Sequence, residues 1–113
     1  MANQCVRLLP LMTLTANTLK MASTEVLDLG AYSKLEVQVR VLVAGSAGLV
    51  RLETAAVNED DAFVAISGAS WNLNATTNTT TGVTSFLRYV RWATDGNAAG
   101  GPKALIDLVA KTG

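Results

Sequence analysis

The chain has 113 residues, half of them hydrophobic, and its nine basic and nine acidic side chains leave no formal net charge. That length is enough for one domain with a modest core, which buries roughly 60–70% of the surface of the unfolded chain. Because nucleic acids and membrane surfaces are held by clustered positive charge, we expect neither as a partner.

The composition also argues against catalysis and metal binding. The chain has no histidine, the commonest general base near neutral pH, and its single cysteine, Cys5, excludes an intrachain disulfide. The acidic turn at Glu59, Asp60 and Asp61 lacks the alternating spacing of a calcium loop. Since no catalytic constellation or cofactor motif is found, we expect a protein that is not an enzyme and has no cofactor or metal.

The first element is an extended N-terminal segment, residues 1–24. It is rich in leucine and methionine, its only charges are Arg7 and Lys20, and Pro10 restricts it to a sheet edge or a bulge. Its longest apolar run is too short for a membrane span or a signal-peptide core. The segment is either an arm across a neighbouring subunit or the first strand of its own sandwich. The candidate partner-binding residues of such an arm are Leu8, Leu9, Leu11 and Met12.

The middle of the chain predicts a β-hairpin. Apolar residues at odd positions from Leu35 to Val43 alternate with polar ones, as in a strand with one face in the core. AGSAG (44–48) is typical of a tight turn, and LVRLET (49–54) alternates again. We therefore predict that these two strands pair with each other across the turn.

Beyond this predicted hairpin the composition becomes polar. AFVAIS (62–67) predicts a short strand, and threonine, asparagine, serine and glycine dominate from there to Ser85. This stretch is predicted as a long loop, part of which would be a threonine-rich edge strand. Trp71 is its largest apolar side chain. It is a candidate contact for a partner or, together with Tyr89 and Trp92, for a sugar.

FLRYVRW (86–92) concentrates aromatic and basic side chains in a chain that is poor in both. Strand alternation places Arg88 and Arg91 on opposite faces, so they should not form one anion clamp. We expect Arg91 to project outward and Arg88 to be paired or at a subunit contact, and both are candidate partner-binding residues. ATDGNAAGGP (93–102) then predicts a turn. KALIDLVAK (103–111) fits a strand or a short helix, and we favour a strand because no good N-cap residue precedes it. Its two faces would be Ile106, Leu108 and Ala110 on one side and Leu105, Asp107 and Val109 on the other.

Seven or eight short strands with closely spaced turns and no clear helix predict an all-β fold, a single antiparallel β-sandwich. The pattern leaves the jelly-roll and immunoglobulin-like strand orders open. The predicted division is an extended N-terminal arm or edge strand at 1–24 and a β-sandwich domain at 25–113.

Three stretches carry a resemblance to a known class of proteins. EVLDLGAYSKLEVQVRVL (25–42), the sandwich-like middle and the closing LRYVRW…ALIDLVAK resemble small β-sandwich proteins of tailed-phage virions, of the head decoration or cement type. The resemblance spans about residues 25–111. It implies a bacteriophage structural protein on the capsid surface, made in the host cytoplasm without a signal peptide. The implied partners are the major capsid protein and further copies of the chain, with a trimer as the default homo-oligomer.

A second resemblance leaves an alternative open. Arg88-Tyr89-Val90-Arg91 is similar to a strand of discoidin-type sandwiches, many of which bind sugars. The alternative function is therefore a carbohydrate-binding module, in a tail, in a fibre or discoidin-like, that uses exposed aromatic side chains.

Overall fold

A computed structural model describes residues 4–13, 21, 24–30, 32–99 and 101–112. Within these ranges the chain forms eight β-strands, one 3₁₀ turn at Asp60–Ala62 and no α-helix. No helix in the described part is long and apolar enough to cross a membrane. The strands are β1 (Gln4–Thr13), β2 (Leu27–Asp28), β3 (Lys34–Val43), β4 (Ala47–Ala55), β5 (Val64–Asn72), β6 (Thr77–Val83), β7 (Tyr89–Ala99) and β8 (Lys103–Lys111).

The strands form two four-stranded antiparallel sheets. Sheet A has the order β1-β8-β3-β6 and sheet B the order β2-β7-β4-β5. The first strand pairs with the last, the second with the seventh, the third with the sixth and the fourth with the fifth. A chain doubled on itself and then rolled in this way is a jelly roll. The predicted antiparallel sandwich is confirmed, and its strand order is not the immunoglobulin one, in which the strands divide as ABED and CFG.

The core lies between the two sheets, where the alternating residues meet. Sheet A supplies the odd positions of β3, as their alternation predicted, and the even positions of β8. Sheet B supplies Val50 and Leu52 from β4 and Val90 and Trp92 from β7. Each large apolar side chain buried here contributes about 1.5–3 kcal/mol. The buried residues of β3 and β8 are Leu35, Val37, Val39, Val41, Ala104, Ile106, Leu108 and Ala110.

The N-terminal strand β1 is an edge strand of this same sandwich. It pairs with β8, and its register shifts between Arg7 and Leu9 and again between Leu9 and Met12. Pro10, which has no N–H to donate, falls within the second shift. Leu8 and Leu9 are buried in the core of their own chain rather than presented to a neighbour. The side chains of Leu11 and Met12 lie outside the described part.

The predicted hairpin of β3 and β4 is wrong. The two strands belong to different sheets, and residues 44–46 carry the chain from sheet A to sheet B. Alternation is a local property that fixes which side of a strand is buried, but it does not select the neighbouring strand. In sheet A both edges of β3 are taken, by β8 and by β6, so β4 has no place beside it.

The predicted turn at 93–102 is also wrong over most of its length. β7 continues through Asp95, Gly96 and Asn97 to Ala99, and pairs with the start of β4. Residues 96–98 lie opposite Gly48 alone, at a register shift, so the turn-like composition marks a bulge within the strand. Of the described residues between β7 and β8, Gly101 has a φ of +67°, as a turn glycine does.

The long loop predicted between Ser67 and Ser85 is mostly strand. β5 extends to Asn72, and β6 is the threonine-rich edge strand that the composition suggested. Only residues 73–76 connect the two. The connection crosses between the sheets, because β5 is an edge of sheet B and β6 is an edge of sheet A.

Candidate functional site

The outer face of sheet B, here called the covered face, is closed by the chain itself. Arg91 donates from Nε to Oε1 of Glu53 at 2.8 Å and from Nη1 to Oδ1 of Asp60 at 2.8 Å. Arg51 donates from Nη2 to Oε2 of the same Glu53 at 2.8 Å. The Arg91 guanidinium lies 4.0 Å from the ring centre of Phe63, within cation–π range. Together the five side chains form the covered cluster.

The covered cluster fastens the β4–β5 connection onto sheet B. Only 9% of the Arg91 side chain and 7% of the Glu53 side chain are accessible to solvent. Two arginines face two carboxylates, so each buried charge has a partner, without which its burial would be costly. Arg91 projects outward from the sheet, as expected, but the connection encloses it. The described residues include no group of three or more histidine, cysteine, aspartate or glutamate side chains that could hold a metal ion.

Arg88 lies in a separate and exposed place. It precedes β7 and donates from Nε and Nη2 to the two carboxylate oxygens of Asp28, at 3.0 and 2.9 Å. The hydrogen bond from Arg88, together with one from the Gly30 N–H, lowers the pKa of the Asp28 carboxyl. The Arg88 side chain is 57% exposed, and it borders a surface depression of about 590 Å³ with the half-exposed Leu87. The two arginines therefore do not converge, as expected.

The outer face of sheet A, here called the open face, carries a ladder of charges across three strands. Arg7 of β1 donates from Nε to Oδ1 of Asp107 on β8 at 2.8 Å, and Arg40 of β3 donates to Oδ2 at 3.1 Å. The hydrogen bond from Arg7, which contributes most, and the one from Arg40 lower the pKa of the Asp107 carboxyl. The Arg7 side chain is 54% exposed and that of Asp107 29%, so these charges meet solvent.

The same face holds the larger depression, of about 730 Å³. Gln38 donates from Nε2 to Oδ1 of Asn78 at 2.9 Å, which links β3 to β6. The Cys5 thiol is exposed beside this depression. Hydrogen-bonding side chains and short apolar patches thus lie together on a sheet face that no described segment covers. The principal lining residues are Cys5, Arg7, Glu36, Gln38, Thr80 and Asp107.

Sequence reasoning did not find the open face. The alternation of β3 placed Glu36, Gln38 and Arg40 on the outward side, and that of β8 separated Asp107 from the face of Ile106 and Leu108. Only the strand order brings Arg7 and Arg40 to opposite sides of Asp107, and the alternation within a strand does not determine that order. The signal that could have indicated this face is Asp107, an acidic residue between apolar ones in β8. A half-buried carboxylate requires a basic neighbour.

The aromatic side chains do not form a shared platform. Trp92 points into the core with 6% of its surface accessible, so its predicted display to a sugar is wrong. Trp71 is half-buried and packs against the core next to Val50. Tyr89 is half-buried as well, with the Arg88 guanidinium 5.2 Å from its ring centre.

The described strands form an eight-stranded jelly roll in which a chain segment covers the outer face of sheet B, while no described segment covers that of sheet A. No family model and no curated protein matches the chain. Among solved structures it is similar to the PBSX exported protein XepA, with a TM-score of 0.62 and 20% identity over 99% of this chain. The chain spans only 37% of XepA.

Two further structures are similar over nearly their whole length. One is from a Bacillus endospore appendage, described as a family of disulfide-linked pili, with a TM-score of 0.58, 10% identity and coverage of 98% of this chain and 85% of that one. The other is the SPBc2 prophage-derived protein YomS, with a TM-score of 0.54, 11% identity and coverage of 97% and 94%. At these identities the likeness establishes the fold.

Proposed function

We propose that the chain is a virion structural protein of a tailed phage, which decorates or cements the capsid by binding the major capsid protein and its own copies. The observation that carries the proposal is the match of the whole jelly roll to YomS, a prophage-derived protein of nearly the same length. The pattern resemblance of residues 25–111 to decoration proteins supports the same role. Jelly rolls are also a common architecture of viral capsid proteins.

We place the capsid-binding surface on the open face. The covered face uses its charges to hold its own loop, whereas Arg7 and Asp107 on the open face remain accessible to a partner. A polar, shallow surface of this kind suits a contact repeated many times over a lattice, where avidity compensates for modest affinity. The role is structural, without catalysis, cofactor, nucleic acid or membrane.

The proposed function is tested by counting the protein in purified particles of the phage or prophage that encodes it. Quantitative mass spectrometry should find it at a copy number comparable to that of the major capsid protein. Its absence would contradict a virion role. A handful of copies per particle would contradict decoration and indicate a tail or fibre component.

The placement on the open face is tested with the single thiol. A bulky maleimide on Cys5 fills the depression, and we expect it to weaken attachment to undecorated capsids about tenfold or more. The matched control is a Cys5→Ser, Thr24→Cys chain with the same label on the exposed turn before β2. Equal attachment of the two labelled chains would show that the capsid contact lies elsewhere.

A further inference from the structure

The two sheets have four edge strands, and three of them are protected against pairing with another chain. β1 carries Pro10 and two register shifts, and β2 has two residues. In β5 a register shift leaves residues 66–69 opposite Leu52 alone, which bends the strand. Proline, bulges and short length are the usual devices that prevent strand addition at an edge.

The fourth edge, β6, has none of these devices. It pairs with β3 in an unbroken register from Val83 opposite Leu35 to Thr77 opposite Val41. Its sequence, TNTTTGV, has no charge and no proline. No described strand pairs with it on the other side, and four of its seven residues are exposed. Alternate N–H and C=O groups along this edge therefore point to solvent.

We propose that β6 pairs antiparallel with β6 of a second copy of this chain about a two-fold axis at Thr80. The inference specifies the homo-oligomer contact of the proposed function and rests on that part of it alone. Thr79 then lies opposite Thr81 of the second copy, and Asn78 lies opposite its Gly82. Cross-strand threonine pairs are favourable in antiparallel sheets.

The lack of charged residues on β6 favours a second copy of this chain as its partner. A two-fold axis brings each residue near its own equivalent, so a charged edge repels itself, as Arg7 would on β1 and Asp28 on β2. On β6 the equivalents are uncharged. The neighbouring strand β3 adds charge complementarity. In the joined sheet, one row of cross-strand neighbours runs from Arg40 through Asn78 to Gly82 and Glu36 of the second copy, so a basic residue stands at one end and an acidic residue at the other.

A local detail of Gly82 supports this arrangement. The Glu36 carboxylate lies next to Gly82, with Oε2 3.6 Å from the position that a Cβ of residue 82 would occupy. Because Gly82 has no side chain, the Glu36 carboxylate can approach the free edge of β6. In the proposed dimer, Asn78 and then Arg40 of the second copy lie beyond that edge. Pairing would join the two open faces into one eight-stranded surface. An isologous contact closes at two copies, so it gives a dimer rather than the default trimer.

The contact is small, so the free dimer should be weak, with a dissociation constant between about 1 μM and 1 mM. Analytical ultracentrifugation of the full chain tests it. Thr80→Lys and Thr80→Glu each place like charges across the axis and should raise the dissociation constant about tenfold. Their equimolar mixture should regain dimers, because lysine then faces glutamate. Thr24→Lys, the same change on the exposed turn before β2, is the control and should leave the dimer unchanged.

Several outcomes would overturn the proposal: a wild-type chain that stays monomeric up to about 1 mM, closed trimers, or dimers that both Thr80 variants leave intact. If the variants do not fold, amide exchange of the wild-type chain decides. Alternate amides of β6 should exchange more slowly as concentration rises, and exchange independent of concentration contradicts the contact. A virion copy number near that of the capsid protein alongside a failed edge test would leave the proposed function standing.

Discussion

The outer faces of the two sheets carry similar ion pairs with opposite exposure. On the covered face, Arg91 and Glu53 lie beneath the β4–β5 connection, and solvent reaches less than a tenth of either side chain. On the open face, Arg7 and Asp107 form an ion pair of the same length, 2.8 Å, in contact with solvent. The exposure differs because the 3₁₀ turn and the ring of Phe63 cover the ion pairs of sheet B.

This contrast shows how the same side-chain chemistry serves two purposes in one small domain. Where a loop covers the pairs, removing one partner leaves a charge in a low-dielectric surrounding, so the cluster determines stability. Where solvent reaches the pairs, water replaces a lost partner, and the charges remain available to another protein.

Glu53→Gln should be the most damaging change. It removes the carboxylate shared by Arg51 and Arg91 and leaves two guanidiniums with one compensating charge, at a cost of about 3 kcal/mol in the free energy of unfolding. Urea denaturation followed by circular dichroism measures this. The control is Glu36→Gln on the open face, expected to change the value by less than about 0.5 kcal/mol. Equal losses in the two variants would remove the distinction between the faces.

Asp60→Asn tests the cover itself and should have an intermediate effect. The Asp60 carboxylate is 63% exposed, and it receives a 2.8 Å hydrogen bond from Arg91 that holds the 3₁₀ turn to the sheet. We expect a loss of about 1 kcal/mol and faster amide exchange at Ala62, whose N–H bonds to Glu59 within the turn. Asp61→Asn is the adjacent control. If exchange at Ala62 is the same in both variants, the ion pair does not hold the turn.

Acid should affect the open face through Asp107. Its pKa is lowered in the folded state from a reference of 3.8, so the folded chain binds its proton more weakly than the unfolded chain does. The resulting stabilisation is fully present above about pH 4 and is lost as the pH falls through the folded pKa. Asp107→Asn should therefore flatten the decline in stability below pH 4. If stability declines below pH 4 as steeply in Asp107→Asn as in the wild type, Asp107 does not contribute to the acid sensitivity.

The sequence predicted what is local in this fold. The alternation of Leu35 to Val43 identified a strand and its buried side, because a strand with one face in the core must repeat with period two. KALIDLVAK was correctly favoured as a strand, although its alternation did not say which face is buried. Pro10 correctly indicated an edge. The threonine-rich stretch correctly suggested the strand that became β6.

The sequence did not predict the connections. AGSAG has the composition of a hairpin turn, yet it carries the chain between sheets, since both neighbours of β3 come from the C-terminal half. Asp95-Gly96-Asn97 has turn composition, yet it lies within β7, where Asp95 pairs with Leu49 and the next residues form a register shift. The open face depends on the same non-local choice, because Arg7 and Asp107 are 100 residues apart and meet only when the first strand pairs with the last.

The smallest effect on stability should come from Arg88, which allows a direct comparison within one short segment. Arg88 and Arg91 are three residues apart, but the first pairs with Asp28 in solvent and the second lies under the loop. Arg91→Ala should lower the urea midpoint clearly, whereas Arg88→Ala should leave it unchanged within error, because water solvates Asp28 in its place. If Arg88 binds a partner, as the sequence suggested, the same variant should attach to capsids less tightly while remaining as stable as the wild type. A fall in the midpoint equal to that of Arg91→Ala would mean that exposure does not decide the role of these arginines.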